Sequence, residues 1–163
     1  LKIKKNLIKD IEEGPFESFY ENGQMMVKMN YKEGLIDGTY ERYFDEGELN
    51  IRRDYKDGLY SYEEWFHESG KIFKREYKNG LKHGVHKNYD ETGRLQSIST
   101  YKDDKLEGPS TYYGQSGEFI RSIREYKNGR PDGWDQDFDE EGNWINTICH
   151  RVGKEVDTSY CEK

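Results

Sequence analysis

Six times along the chain, with a single substitution in some units, a glycine is followed nine residues later by a second glycine, and then by a tyrosine and a third glycine. The opening set is Gly14, Gly38, Gly84, Gly108 and Gly133, with Ser61 in the third place. The second set is Gly23, Gly47, Gly70, Gly93, Gly117 and Gly142. The tyrosines are Tyr31, Tyr55, Tyr77, Tyr101 and Tyr126, with His150 in the last place. A period of 22 to 25 residues marks a repeat architecture, in which each unit is too small to bury its own apolar face and packs on its neighbours. The beat divides the chain into an N-terminal segment 1–13, units 14–37, 38–60, 61–83, 84–107, 108–132 and 133–153, and a tail 154–163.

Within a unit the pattern is that of a β-hairpin. The arm after Gly38 (Thr-Tyr-Glu-Arg-Tyr) is rich in strand formers, and Asp45-Glu46-Gly47 predicts a type I turn closed by a glycine at positive φ. The return arm alternates, so that Leu49, Ile51, Arg53 and Tyr55 share one face, and Tyr55-Lys56-Asp57-Gly58 predicts a second turn of similar type. Met25, Val27, Met29 and Tyr31 alternate in the same way. The predicted fold is all-β: six tandem hairpins in one elongated, twisted antiparallel meander. Strands lie about 4.8 Å apart, so equivalent positions line up across them. Phe19, Tyr43, Phe66, Tyr89, Tyr113 and Phe138 form one such row, with Tyr31, Tyr55, Tyr77, Tyr101 and Tyr126 adding to the ladder. The apolar slot after the middle glycine (Met25, Leu49, Ile72, Leu95, Phe119, Trp144) completes the expected core.

Departures from the beat carry information. Unit three lacks its opening glycine and has a shorter second arm, which predicts a bulge or offset. Asp104 replaces a third glycine, and the last unit reads His150-Arg-Val-Gly153, as a terminal repeat does. Residues 1–13, with Leu1, Ile3, Leu7, Ile8 and Ile11, are expected to cover the exposed strand edge at the other end.

Charged residues make up 36% of the chain and hydrophobic ones 32%, a balance that leans toward disorder. The 14 tyrosines, seven phenylalanines and three tryptophans, most in register with the glycines, argue for a folded chain. Alanine, the best helix former, is absent, which reinforces the all-β reading. A net charge of −7 argues against general nucleic-acid binding and permits a basic protein partner. No stretch approaches the ~20 apolar residues of a membrane-spanning helix, and membrane association is not expected. Cys149 and Cys161 are close enough in sequence to form a disulfide near the C-terminus.

Candidate chemistry is sparse. Asp135, Asp137 and Asp139 alternate, which predicts three carboxylates on one solvated face, able to steer a basic partner. Glu140 and Asn146 stand where a calcium loop needs Gly and Glu, so that motif fails. His83 and His86 straddle Gly84 without a cysteine pair to complete a zinc site, and Cys149, His150 and Cys161 supply at most three ligands. No metal or cofactor is expected. Glu63-Glu64 and Asp103-Asp104 are adjacent and so face opposite ways on a strand. No nucleophile elbow, phosphate loop or dinucleotide fingerprint is present, and no enzymatic activity is expected. Trp134 is oversized for its slot after Gly133; packing on the C-terminal tail and exposure to a partner are the two alternatives.

Gly84-Val-His-Lys-Asn-Tyr89-Asp-Glu-Thr-Gly93-Arg-Leu95 reads as G-x-x-x-x-Y-x-x-x-G-x-L, and Tyr77-Lys-Asn-Gly80-Leu-Lys-His-Gly84 and Tyr126-Lys-Asn-Gly129-Arg-Pro-Asp-Gly133 read as Y-K-N-G-x-x-x-G. These motifs resemble the bacterial variant of the MORN repeat (membrane occupation and recognition nexus), over about residues 14 to 153. Arrays of this kind are often described as antitoxins of the YwqK type or as immunity proteins beside toxins. The resemblance therefore implies protein–protein contact through the sheet surface, with a toxin of basic surface as partner, and a bacterial cytoplasmic location. An exported form stays open, since the chain begins at Leu1. A structural or membrane-associated scaffold is the alternative the wider family implies.

Overall fold

The computed structural model describes residues 2–67 and 70–162; Leu1, expected in the N-terminal segment, lies outside them. The all-β expectation holds. Two compact units meet in sequence at Gly80 and Leu81.

In the first unit, strands β1 (Lys2–Lys4), β2 (Leu7–Ile8), β3 (Ile11–Glu12), β4 (Gly14–Phe19), β5 (Met25–Lys32), β6 (Leu35–Ile36), β7 (Gly38–Tyr43), β8 (Leu49–Lys56), β9 (Leu59–His67) and β10 (Gly70–Lys78) follow one another. The sheet order β1-β4-β5-β7-β8-β9-β10 is an antiparallel meander, with β6 beside β5 and β2-β3 a small separate hairpin. In the second unit come β11 (Leu81–Lys82), β12 (Gly84–Tyr89), β13 (Leu95–Lys102), β14 (Lys105–Tyr113), β15 (Ile120–Lys127), β16 (Arg130–Phe138), β17 (Trp144–Arg151) and β18 (Lys154–Val156). Its order, β12-β13-β14-β15-β16-β17-β18, is again a meander. A short 3-10 turn, Thr158–Tyr160, ends the described chain, and a disulfide between Cys149 and Cys161 ties it to β17.

Two kinds of turn alternate along each meander. The predicted glycine-closed turn is present at Gly47, whose φ is 102° and whose N–H donates to the Phe44 carbonyl at 3.1 Å. The second turn differs from expectation. At Asp57-Gly58 both residues have positive φ, 48° and 79°, and Lys56 pairs directly with Leu59. That is a two-residue type I′ turn, whose twist matches the flanking strands. It recurs at Glu33-Gly34, Asn128-Gly129 and Val152-Gly153, and at Asp103-Asp104 with no glycine at all.

Each type I′ turn is fastened to the preceding one. Gly58 N–H donates to the Ile36 carbonyl at 2.9 Å, and Asp57 N–H to the Asp37 carboxylate at 3.3 Å. The pattern repeats with Gly34 on the Glu12 carbonyl and Glu33 on the Glu13 carboxylate, and with Gly129 on the Leu106 carbonyl and Asn128 on the Glu107 carboxylate. The acid just before an opening glycine therefore clamps the turn that follows about 20 residues later.

The expected aromatic core needs correction. The most deeply buried side chains are small or polar: Ser18, Glu63, Glu64, His86, Ser97, Ser99, Ser110 and Ser122, with Ile51 and Cys149 the buried apolar ones. The ladder residues Phe19, Tyr31, Tyr43, Tyr55, Phe66, Tyr77, Tyr89, Tyr101, Tyr113, Tyr126 and Phe138 are half-buried. They also divide between faces, since Tyr43 bonds to Glu41 on one side while Tyr55 stacks with Tyr40 on the other. A single sheet layer has no second layer to roof its large rings, so only short side chains between taller neighbours lose all contact with water. Trp144, expected in the core, is 63% exposed. Ile72 is the extra residue of the predicted irregularity in unit three, where the register slips between Lys71 and Phe73, and Gly70 there starts β10 opposite His67.

Candidate functional site

One face of the first unit carries a ladder of alternating charge. Lys4 pairs in register with Glu17, Glu17 with Lys28, Lys28 with Glu41, Glu41 with Arg52, Arg52 with Glu64, and Glu64 with Lys74. Opposite charges directly across a strand pair are mutually stabilising. Arg52 Nη2 lies 2.7 Å from Glu41 Oε1, and Tyr43 donates its hydroxyl to Glu41 Oε2 at 2.7 Å. Burial opposes ionisation of Glu41, but the bonds from Tyr43 and Arg52 outweigh it and hold the carboxyl below its ordinary pKa. Burial and then Glu41 push the Tyr43 phenol up to about 12. Glu64 is held low in the same way against burial, by Lys71 and Tyr62. This surface is electrically self-satisfied, with each charge spent on its neighbour.

The opposite face holds an aromatic row threaded by an ion pair whose carboxylate is buried. Tyr40, Tyr55, Tyr60 and Tyr77 lie ring to ring, with successive centroids 6.2, 5.5 and 4.8 Å apart. The Arg53 guanidinium sits 5.9 Å from the Tyr40 ring and 5.3 Å from that of Tyr60, within cation–π range. Its Nε donates to Glu63 Oε1 at 2.7 Å, and Glu63, only 5% exposed, also accepts from the Tyr77 hydroxyl at 3.2 Å. Burial, with Glu63 second, pushes the Tyr77 phenol up to about 12. Glu63 and Glu64 point to opposite faces, so they form no paired-carboxylate centre.

In the second unit the predicted site residues do not form one acidic stripe. Asp135 is tied to Arg124, which reaches it from β15 at 3.0 Å and lies across from it in register. Asp137 is flanked by Ser122 and Asn146. The register slips between Asp137 and Phe138, so the alternation ends there. Asp139 consequently belongs to the turn, accepting from the N–H of Asn143 at 2.6 Å and from its amide at 3.0 Å. Trp134 is half-buried, directly across from Cys149, whose disulfide carries the tail; its N–H donates to Glu125 at 2.9 Å. His86 is buried 4.5 Å from the Tyr101 ring, and His83 lies 3.4 Å from Asp103. Among the described residues, no cluster of His, Cys, Asp or Glu could hold a metal.

A groove beside the fifth hairpin went unread in the sequence. Five residues separate Tyr89 from its cross-strand partner Leu95, and likewise Tyr43 from Leu49 and Phe138 from Trp144. Tyr113 pairs instead with Ile120, with six residues between. The extra residue takes Phe119 out of the slot assigned to it and gives that slot to Ile120. The Phe119 ring folds back over Gly114, where an added Cβ would stand 2.0 Å from it. Phe119, Ile120, Ile123 and Phe138 line the resulting depression, rimmed by Glu118, Glu140 and Glu141. The counting signal, nine residues from Gly117 to Tyr126 where Gly47 to Tyr55 and Gly93 to Tyr101 are eight, was available in the sequence.

Three hairpins match the MORN repeat variant. The matches cover residues 12–33, 36–57 and 82–103. No curated protein matches the chain. Each MORN-variant match runs from just before an opening glycine to the first residue of a type I′ turn, enclosing β4–β5, β7–β8 or β12–β13. The hairpins with the offset at Lys71, the inserted residue before Ile120 and Val152 at positive φ lie outside the MORN-variant matches.

Proposed function

We propose that this repeat module binds a protein partner and performs no chemistry of its own. The carrying observation is a row of apolar side chains in the second unit, offered to solvent by an otherwise acidic chain. Ile120 shares a depression with Phe138, and Trp144, the strand partner of Phe138, is 63% exposed. Contiguous exposed apolar surface with a polar rim is characteristic of interaction sites, and tryptophan is a frequent anchor in them. The net charge of −7 selects a basic partner. A toxin neutralised by steric occlusion, as in immunity pairs, fits that chemistry. The test is capture on the immobilised protein from a lysate of its native source at physiological salt, followed by reconstitution with the purified candidate. Failure to retain any partner stoichiometrically counts against the reading.

A second reading, a membrane-associated scaffold, is favoured by one feature. Lys102 and Lys105, Lys127 and Arg130, and Arg151 and Lys154 flank three successive type I′ turns of the second unit as paired exposed cations. Co-sedimentation with vesicles containing anionic lipid, absent with neutral ones, would favour that reading over the first.

A further inference from the structure

The groove at Phe119 specifies more than a generic contact. Its floor is apolar, formed by Phe119, Ile120, Ile123 and Phe138, and the residue that created it is an insertion found in one hairpin. The insertion carries its own fitting, because Gly114 leaves room for the Phe119 ring and its N–H donates to the Phe119 carbonyl at 3.0 Å. A ring held in that position forms a wall rather than a rung. The rim is acidic: Glu118, Glu140 and Glu141 are all exposed, and none enters an ion pair among the described residues. This contrasts with the first unit, where Glu41, Glu63 and Glu64 are all matched by cations. Arg121 lines an adjoining depression that shares Glu118, Phe119 and Glu140 with the groove.

We infer that this groove receives a short segment of the partner protein in which an aliphatic or aromatic anchor is flanked by lysine or arginine. The apolar floor rewards the anchor in proportion to the surface it removes from water. The three unpaired carboxylates reward neighbouring cations and repel an acidic segment or an anionic lipid surface. The inference rests on the protein-binding reading and names its site and the chemistry it selects.

The probe is a short capped peptide alternating lysine with leucine and phenylalanine, titrated into the full chain at physiological salt while backbone amide shifts are followed. Two control peptides replace its lysines by glutamate or its apolar residues by serine. The expected result is saturable shifts confined to residues 114–123 and 138–142 with the first peptide alone. The double charge reversal Glu140→Lys with Glu141→Lys lies on an exposed turn, away from packed residues, and should weaken binding about tenfold. Ile120→Asp should abolish it. Shifts that map elsewhere, equal binding of either control, or an undiminished affinity after charge reversal would overturn the inference. A captured natural partner that binds the charge-reversed protein unchanged sinks the groove and leaves the protein-binding reading standing. Peptide docking in the groove without any captured partner does the opposite.

Discussion

Gly114→Ala offers the sharpest test of how the fifth hairpin is built. Gly114 is not at positive φ, so backbone strain plays no part. The whole cost comes from the methyl group, which would stand 2.0 Å from Phe119 Cζ and 2.2 Å from Cε1, far inside any real carbon contact. Two stiff bodies meet there, and the ring must leave. Full burial of a phenylalanine side chain is worth up to about 3 kcal/mol. Phe119 is half-buried, so its expulsion should cost about 1–2 kcal/mol, or roughly 2–8 °C in melting temperature for a chain of this size. The assay is a double-mutant cycle by urea unfolding. Phe119→Ala alone should cost a similar amount, while Gly114→Ala in the Phe119→Ala background should cost close to nothing. The coupling would thus equal nearly the whole single-mutant effect. If Gly114→Ala costs the same with or without the ring, or nothing in either case, the seating of Phe119 described above is wrong.

Arg53→Ala should destabilise the first unit by about 3 kcal/mol, because it strands the buried Glu63 carboxylate, and adding Glu63→Gln should recover much of that loss in the same unfolding assay. Val152 is β-branched and sits at φ 51°, so Val152→Asn should raise stability by about 1 kcal/mol, seen as a higher melting temperature. Hydrogen bonds depress the carboxyl of Asp90, from Thr92 first and then Arg94, and that of Asp37, from Asp57 first and then Lys56. Their folded pKa values lie below the unfolded ones, so their contribution is complete above pH about 4 and fades as pH falls through the folded values. The urea midpoint should decline below that pH, and less steeply in Asp37→Asn and Asp90→Asn.

Much of the hairpin frame was legible because turns are local. Gly47 and Gly58 announce where the chain reverses, and the residues between them are sufficient to make strands. The difference between the glycine-closed turn and the type I′ turn was also within reach, since Asp-Gly between paired strands favours the latter. The candidate site was read less well. Asp135, Asp137 and Asp139 look alike as a string, yet a one-residue slip at Phe138 sends the third into a turn, and Arg124 neutralises the first. The turn glycine Gly142, three residues past Asp139, reports the first event, but nothing adjacent to Asp135 in sequence reports the second. Trp144 holds a slot that the sequence spacing makes apolar in every repeat, and its exposure depends on what lies above the sheet, which no repeat pattern records.

The sequence alone determined a chain of hairpins and the chemistry of its turns, because both are settled by residues within one or two turns of each other. Tertiary structure decided which side chains are hidden and which charges are spent. Cross-strand partners such as Glu41 with Arg52, or Arg53 with Glu63, sit ten or more residues apart, and their pairing depends on register. Register is counted through every bulge on the way. One inserted residue before Ile120 was enough to turn a rung of the ladder into the wall of a groove.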